Sequence, residues 1–213
     1  MRMKKVIYIL GFLSTCNLFF AQKDHIAFFA GLELQPAFKK YLPAFQMNGR
    51  MYVNDRISLG GQLAYTQQNH SEDFGYPANR TRSYHTTFNV LAQNDLIKKE
   101  NFSLSVYIST GIYFLSLVNP DETYTEMSYN QIKGVWFVNE YEVPRRLSRD
   151  LFYNIQPGLD LSYKLGNITK ENVGIYLTSR IGYQFVMGNG SFINGTQLTR
   201  PVFSLGITFN GPK

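Results

Sequence analysis

The residues best suited to proton transfer near neutral pH are three histidines, His25, His70 and His85. Ser83 lies two residues before His85, and Ser71, Glu72 and Asp73 follow His70 directly. Serine, imidazole and carboxylate are the parts of an acyl-transfer triad, so this is the chemistry to test first. Such a triad must be fixed on rigid elements, whereas His70 falls in a long polar stretch and no lipase-type motif surrounds any of the three. Asp121, Glu122, Glu140 and Glu142 could contribute oxygens to a metal ion, but they stand in polar stretches where carboxylates ordinarily face water. The sequence therefore assigns no catalytic residue, no metal site and no cofactor.

The chain ends narrow the setting. Met1-Arg2-Met3-Lys4-Lys5 precedes an uncharged, mostly apolar stretch at 6–20, which is the pattern of a secretory signal peptide. The stretch is shorter than the ~20 residues of a spanning helix. Residues 1–21 are read as the signal, cut after Ala21, and 22–213 as one mature domain. A rival reading makes Cys16 the lipidated residue of a lipoprotein signal. Loss of 1–21 removes the only cysteine, so the mature chain has no disulfide or thiol chemistry. It also removes Arg2, Lys4 and Lys5, taking the formal charge from +6 to +3, too mild a balance to argue for nucleic acid.

What must position any functional group is a set of strands. Charged residues make up 17% of the chain, against roughly 25% in soluble domains. Apolar and polar residues alternate with period two in eight segments, the mark of strands with unlike solvents on their two faces. Outward sets include Ile26, Phe28, Ala30, Leu32 and Leu34 in the first, Phe45, Met47, Gly49 and Met51 in the second, and Phe203, Leu205, Ile207 and Phe209 in the eighth. Short connections are expected at Asn54-Asp55, 98–101 and 166–172, and longer polar loops at 36–43, 67–83, 118–150 and 187–199. Short turns at one end and long loops at the other are the habit of a transmembrane barrel.

A secreted β-sandwich also alternates, so the identity of the polar residues matters. The polar face is built of Ser, Gly, Gln, Asn, Thr and Tyr with few charges, which suits the side-chain-filled inside of a narrow barrel. Outward aromatics gather at strand ends: Phe45, Tyr65, Tyr84, Phe114, Tyr153, Tyr183, Phe185 and Phe203 at the loop end, and Phe28, Phe102, Tyr163 and Phe209 at the turn end. Two aromatic girdles around an aliphatic belt mark a bilayer. The expected fold is all-β: an eight-stranded antiparallel up-and-down transmembrane β-barrel after an N-terminal signal peptide.

The mature chain resembles the small outer-membrane β-barrel proteins of the OmpA-like transmembrane-domain type. Phe203-Ser204-Leu205-Gly206-Ile207-Thr208-Phe209 is similar to the C-terminal strand that the barrel-assembly machinery recognises, although Asn210-Gly211-Pro212-Lys213 follows the final aromatic. Pro157-Gly158-Leu159-Asp160-Leu161-Ser162-Tyr163 is also similar. The resemblance implies a Gram-negative outer-membrane location and carries no catalytic residue. The expected role is structural or surface interaction, with outer-membrane lipids, lipopolysaccharide, the assembly machinery or a protein as partners. The alternatives are a membrane-embedded acyl hydrolase or acyltransferase acting on lipid A or phospholipid, and a narrow pore.

Three groups of residues carry specific expectations. Lys39, Lys40, Arg80, Arg82, Arg145, Arg146, Arg149 and Arg200 map to the loop end, where basic forks would meet lipopolysaccharide phosphates. Residues 118–150 hold Tyr124, Tyr129, Trp136, Phe137 and Tyr141, either as a partner-contact loop or as a hairpin extending the strands above the membrane. Inside, Asp160 and Arg180 are expected to form a lumen ion pair, joined by Glu33 and Arg50. A turn centred near residue 169 would place Arg180 diagonally across from Asp160.

Overall fold

The computed structural model describes residues 25–38, 40–132, 135–168 and 173–212, with side chains described for these except 128–132, 135–139, 141 and 212. The expected signal peptide and its cleavage site lie outside the described residues. Eight antiparallel strands run up and down in sequence order: β1 (His25–Ala37), β2 (Lys40–Tyr52), β3 (Ile57–His70), β4 (Thr81–Lys98), β5 (Phe102–Ile132), β6 (Val135–Ile168), β7 (Val173–Met187) and β8 (Arg200–Pro212). β8 pairs back onto β1, with Phe28 opposite Phe209 and Leu32 opposite Leu205, and so closes the ring. Closure leaves no sheet edge within the barrel, the condition a β structure must meet to cross lipid.

Period-two alternation translates directly into inside and outside. Leu32, Val90, Leu151 and Leu205 are each more than half exposed on the outer face, while Gln46, Asn48, Gln62, Thr87, Asn154 and Thr178 are buried in the lumen. A soluble protein would reverse this arrangement, because apolar surface is driven out of water. Tyr65 stacks with Tyr84 across β3 and β4, Phe88 meets Phe114 edge to face across β4 and β5, and Tyr183 leans on Phe185 within β7, so outward rings pack together at several places around the barrel. A closed ladder with a polar lumen and an apolar, aromatic-edged exterior is a transmembrane β-barrel of the outer-membrane type.

Two connections differ from the sequence reading, and a third takes one of its two alternatives. The expected loop at 36–43 is a tight hairpin, with Ala37 paired to Lys40; Pro36 and Pro43 both stay in strand. Phe38 takes a positive φ of 53° in that turn, a rare conformation for a bulky residue. The stretch at 118–150 adopts the hairpin alternative, since β5 and β6 continue to pair from Thr123–Pro144 up to Ile132–Val135. At the other end, Ile168 pairs with Val173 and a bulge falls between Lys164 and Gly166. The turn is therefore centred further along the chain than residue 169, and Asp160 stands directly opposite Arg180, not diagonal to it.

Candidate functional site

The lumen is filled from the middle upward. Arg180 Nε lies 3.1 Å from Asp160 Oδ2, and Arg50 Nη1 approaches the same oxygen at 3.8 Å. The Arg180 guanidinium also sits 4.2 Å from the Tyr107 ring centroid and 5.6 Å from that of Phe29, so π faces share its charge. Gly31 and Gly206 face each other beside Phe29, and a Cβ on either would strike that ring. Glu33 accepts a hydrogen bond from Gln46 Nε2 at 2.7 Å and another from Ser204 Oγ at 3.3 Å; no salt bridge ties it to the two arginines. Two buried carboxylates thus face two buried guanidinium groups, a balance that a low-dielectric interior demands.

Above this layer, Tyr113, Leu115, Phe152, Val186, Ile193 and Leu198 form an apolar plug. Phe38 from the β1–β2 turn and Phe192 from the β7–β8 loop pack onto it. Phe74, in the β3–β4 loop and also at a φ of 53°, stacks on Phe38 at 5.2 Å. His70 meets Phe38 edge to face at 4.7 Å. These groups, with Lys40 and Arg200, line a cleft of about 540 Å³ at the outer mouth. Asp150 pins the β7–β8 loop, its Oδ1 accepting from the Ser191 amide at 2.9 Å and the Ser191 hydroxyl at 2.8 Å.

A hydrogen-bonded chain descends from the cleft into the plug. His70 Nε2 is 2.8 Å from Ser83 Oγ, Ser83 Oγ is 2.9 Å from His85 Nε2, and His85 Nδ1 is 2.6 Å from the Tyr113 hydroxyl. With Tyr113 donating to His85 Nδ1, His85 donates from Nε2 to Ser83, and Ser83 donates to His70. Every buried member is then satisfied. Serine and histidine do meet, as a triad would need, but Ser83 is fully buried and the far partner is a phenol, not a carboxylate. His70 is half-buried above the girdle; burial holds its pKa below the ordinary value, with Glu72 opposing and Lys40 reinforcing the shift.

The loop-end cations have unequal fates. Arg80 is bound by Asp121 in a salt bridge, and Arg145 Nη1 lies 2.6 Å from Glu122. Arg82 points outward, donating from Nε to Asn69 Oδ1 at 2.7 Å. Arg149 is exposed with its guanidinium 5.3 Å from the Phe114 ring centroid. Tyr84, Ser116 and Arg149 form one cross-strand row, with Arg82 two residues beyond Tyr84 on the loop side. Arg82 and Arg149 thus stand on strands separated by β5, roughly 10 Å of sheet width apart, at the upper edge of the girdle. Lys40 and Arg200 face the mouth, Arg146 is exposed at the base of the hairpin, and Lys39 lies outside the described residues. In the hairpin, Tyr124 is exposed and donates to Glu126 Oε1 at 2.8 Å. The side chains of Tyr129, Trp136, Phe137 and Tyr141 lie outside the described ones.

No family model and no curated protein matches the sequence. The trace is similar to that of two solved proteins. Neisserial surface protein A aligns over 89% of this chain and 96% of its own at 9% identity, with a TM-score of 0.41. Ail, the attachment invasion locus protein of Yersinia pestis, aligns over 87% and 95% at 12% identity, with a TM-score of 0.40 in its complex with the heparin analogue sucrose octasulfate and 0.39 in a second structure. The barrel assignment rests on the closed ladder itself.

Two buried carboxylates escaped the sequence reading. Asp95 accepts from Ser105 Oγ at 2.7 Å and faces Lys98 Nζ at 3.7 Å. Its inward position is masked by a bulge that turns both Leu96 and Ile97 outward; the adjacent apolar pair, breaking the alternation, was the available signal. Asp150 had a simpler signal, being one residue before outward Leu151. The cleft's three phenylalanines had none, because Phe38, Phe74 and Phe192 meet only through the closure of distant loops.

Proposed function

We propose that the chain resides in the outer membrane of a Gram-negative bacterium and works as an interaction barrel, held by its lipid-facing belt and read from its loop end. The observation that carries this reading is the placement of Arg82 and Arg149 on the outer wall at the edge of the aromatic girdle, where lipopolysaccharide phosphates would lie against them. Arg146 adds charge nearby, whereas Arg80 and Arg145 are committed to carboxylates. The β5–β6 hairpin, rising beyond the last pairings with β4 and β7, is the surface offered to a protein partner. The C-terminal strand β8 is the segment presented to the barrel-assembly machinery.

The geometry favours neither an acyl-transfer enzyme nor a pore. Ser83 Oγ is sealed beneath the cleft, so no ester carbonyl can reach it without opening the plug. The same plug fills the lumen with side chains, as expected of eight strands.

The test is the lipopolysaccharide that co-purifies with the barrel. Arg82→Ala and Arg149→Ala together should lower it about tenfold, the scale of losing charge-assisted hydrogen bonds. An unchanged amount in a protein that still folds would reject this contact. Recovery from detergent-free periplasm would reject the membrane location.

A further inference from the structure

Among the described residues the turn end of the barrel is open, whereas the loop end is plugged. A vestibule of about 380 Å³ lies beside the β2–β3 turn and the neighbouring strand ends of β4, β6, β7 and β8, lined by Lys98, Lys164 and Tyr176 among others. It narrows to a pocket of about 40 Å³ whose wall includes Arg50, Lys99 and Asp95; Tyr52, Lys98, Tyr176 and Asn210 border both spaces. Four side-chain cations, Arg50, Lys98, Lys99 and Lys164, line the joined spaces against two carboxylates, Asp55 and Asp95.

The Asp95 carboxylate is already engaged. Asp95 takes the Ser105 hydroxyl and Lys98. Lys98 is further held by the Asp55 carbonyl at 3.3 Å and lies 4.5 Å from the Tyr52 ring centroid. Arg50 is the exception. It is 4% exposed, yet Nε and Nη1 have no hydrogen-bond acceptor among the described residues, and 3.8 Å to Asp160 is too long for one. Guanidinium donors buried without acceptors are costly, so a pocket of this kind calls for an anion to meet them.

We propose that the turn-end vestibule binds a phosphoryl dianion, with Arg50 at its inner wall and Lys99 and Lys164 at its rim. Arg50 shares Asp160 with the closer Arg180 and is only partly compensated, and the three lysines outnumber Asp55 and Asp95 by one, so the wall carries a net positive charge that suits a phosphoryl group. The narrow end admits a group no larger than one phosphate, and the wider space leaves room for a substituent on it. The phosphoryl group can arrive as free phosphate or as a small phosphomonoester, and the wider space separates these two sources.

The experiment uses the mature barrel refolded in zwitterionic micelles, titrated with inorganic phosphate and separately with glycerol phosphate while amide chemical shifts are followed. Saturable shifts confined to the residues around Tyr52, Lys98, Ser103, Tyr176 and Asn210 are expected, absent with chloride at equal ionic strength. Tighter binding of glycerol phosphate would identify a phosphomonoester, and tighter binding of inorganic phosphate the free ion. Lys99→Gln and Lys164→Gln are exposed or half-exposed changes that leave the fold intact, and each should weaken binding about tenfold. Shifts that never saturate, or an affinity indifferent to both variants, would overturn the proposal.

Discussion

Asp160 and Arg180 face each other across the β6–β7 ladder, and the Arg180 Nε–Asp160 Oδ2 separation of 3.1 Å makes them the centre of the lumen's charge. Arg50 reaches the same carboxylate oxygen from β2. The two arginines therefore share one acid, and the cost of deletion should be unequal. Asp160→Ala strands two buried cations, whereas Arg180→Ala leaves Asp160 with Arg50. Loss of Asp160 should destabilise the barrel by about 3–5 kcal/mol, and loss of Arg180 by less. The double variant should cost less than the two added together. Urea unfolding in lipid vesicles measures this, and strict additivity would show that the pair contributes no coupling.

The inward and outward faces were legible along most of each strand because lipid and lumen impose opposite polarities on alternate residues, but not at Asp95, where a bulge breaks the alternation. The neighbourhood of Asp160 was legible as well, since a charge among Ser, Gly and Gln must find a partner. What alternation cannot supply is register. Period two is blind to a shift by two residues, so the Lys164–Gly166 bulge and the true turn centre stayed hidden, and Arg180 was placed two residues out. The tight β1–β2 turn was hidden for a different reason: Pro36 and Pro43 read as loop punctuation, yet both stand in paired strand. The cleft was hidden altogether, because its rings come from three separate loops.

Glycines on the inner wall give a sharper test of packing than their sequence spacing would. A Cβ at Gly60 would overlap the Gly49 carbonyl and Arg50 Cα, and one at Gly111 would overlap the Phe88 carbonyl and Asn89 Cα. A Cβ at Gly49 meets nothing. Gly60→Ala and Gly111→Ala should therefore sharply reduce refolding yield, while Gly49→Ala should be within about 0.5 kcal/mol of the parent. The fraction migrating as the compact, unboiled form on a gel reports this, and equal yields for the three variants would contradict the close strand approach.

Acid should loosen the outer mouth. Because burial depresses the His70 pKa, the unfolded chain takes up its proton first as pH falls. The stabilising contribution is complete above the unfolded value near ~6.5, declines as pH drops toward the lower folded value, and is level below it. Protonation also turns Nε2 from acceptor to donor, so either Ser83 accepts from both histidines and its own proton loses its acceptor, or the chain reverses and the Tyr113 proton does. Ser83 meets His70 by its hydrogen bond, Phe38 and Phe74 by ring contact and Glu72 and Lys40 by charge, and only Glu72 resists the shift. The urea midpoint should fall on acidification from neutral pH, and His70→Gln should remove part of that slope. An identical slope in the variant would show that His70 is not the sensing group.

The β5–β6 hairpin should be dispensable for the barrel. The last β4–β5 pair is Arg82–Val118 and the first β6–β7 pair at that end is Tyr153–Met187, so the ladder above them has only two strands. A lone two-stranded hairpin in water is marginal and lends little to the closed ring beneath it. Bulges between Leu117 and Val118 and between Asn119 and Thr123 further separate the two regions, interrupting the hydrogen-bond ladder where the barrel ends. Replacing residues 123–144 with an Asn-Gly turn keeps the Arg145–Glu122 pair and every pairing around the ring. The shortened chain should refold with a urea midpoint shifted by no more than about 0.5 kcal/mol, and its unboiled form should still run faster than its boiled form. Lipopolysaccharide should still co-purify, because Arg82 and Arg149 lie below the cut, whereas any protein partner captured through the hairpin should be lost. A chain that no longer folds after this excision would mean that the hairpin organises the barrel, and that its aromatic residues are retained for stability and not for contact.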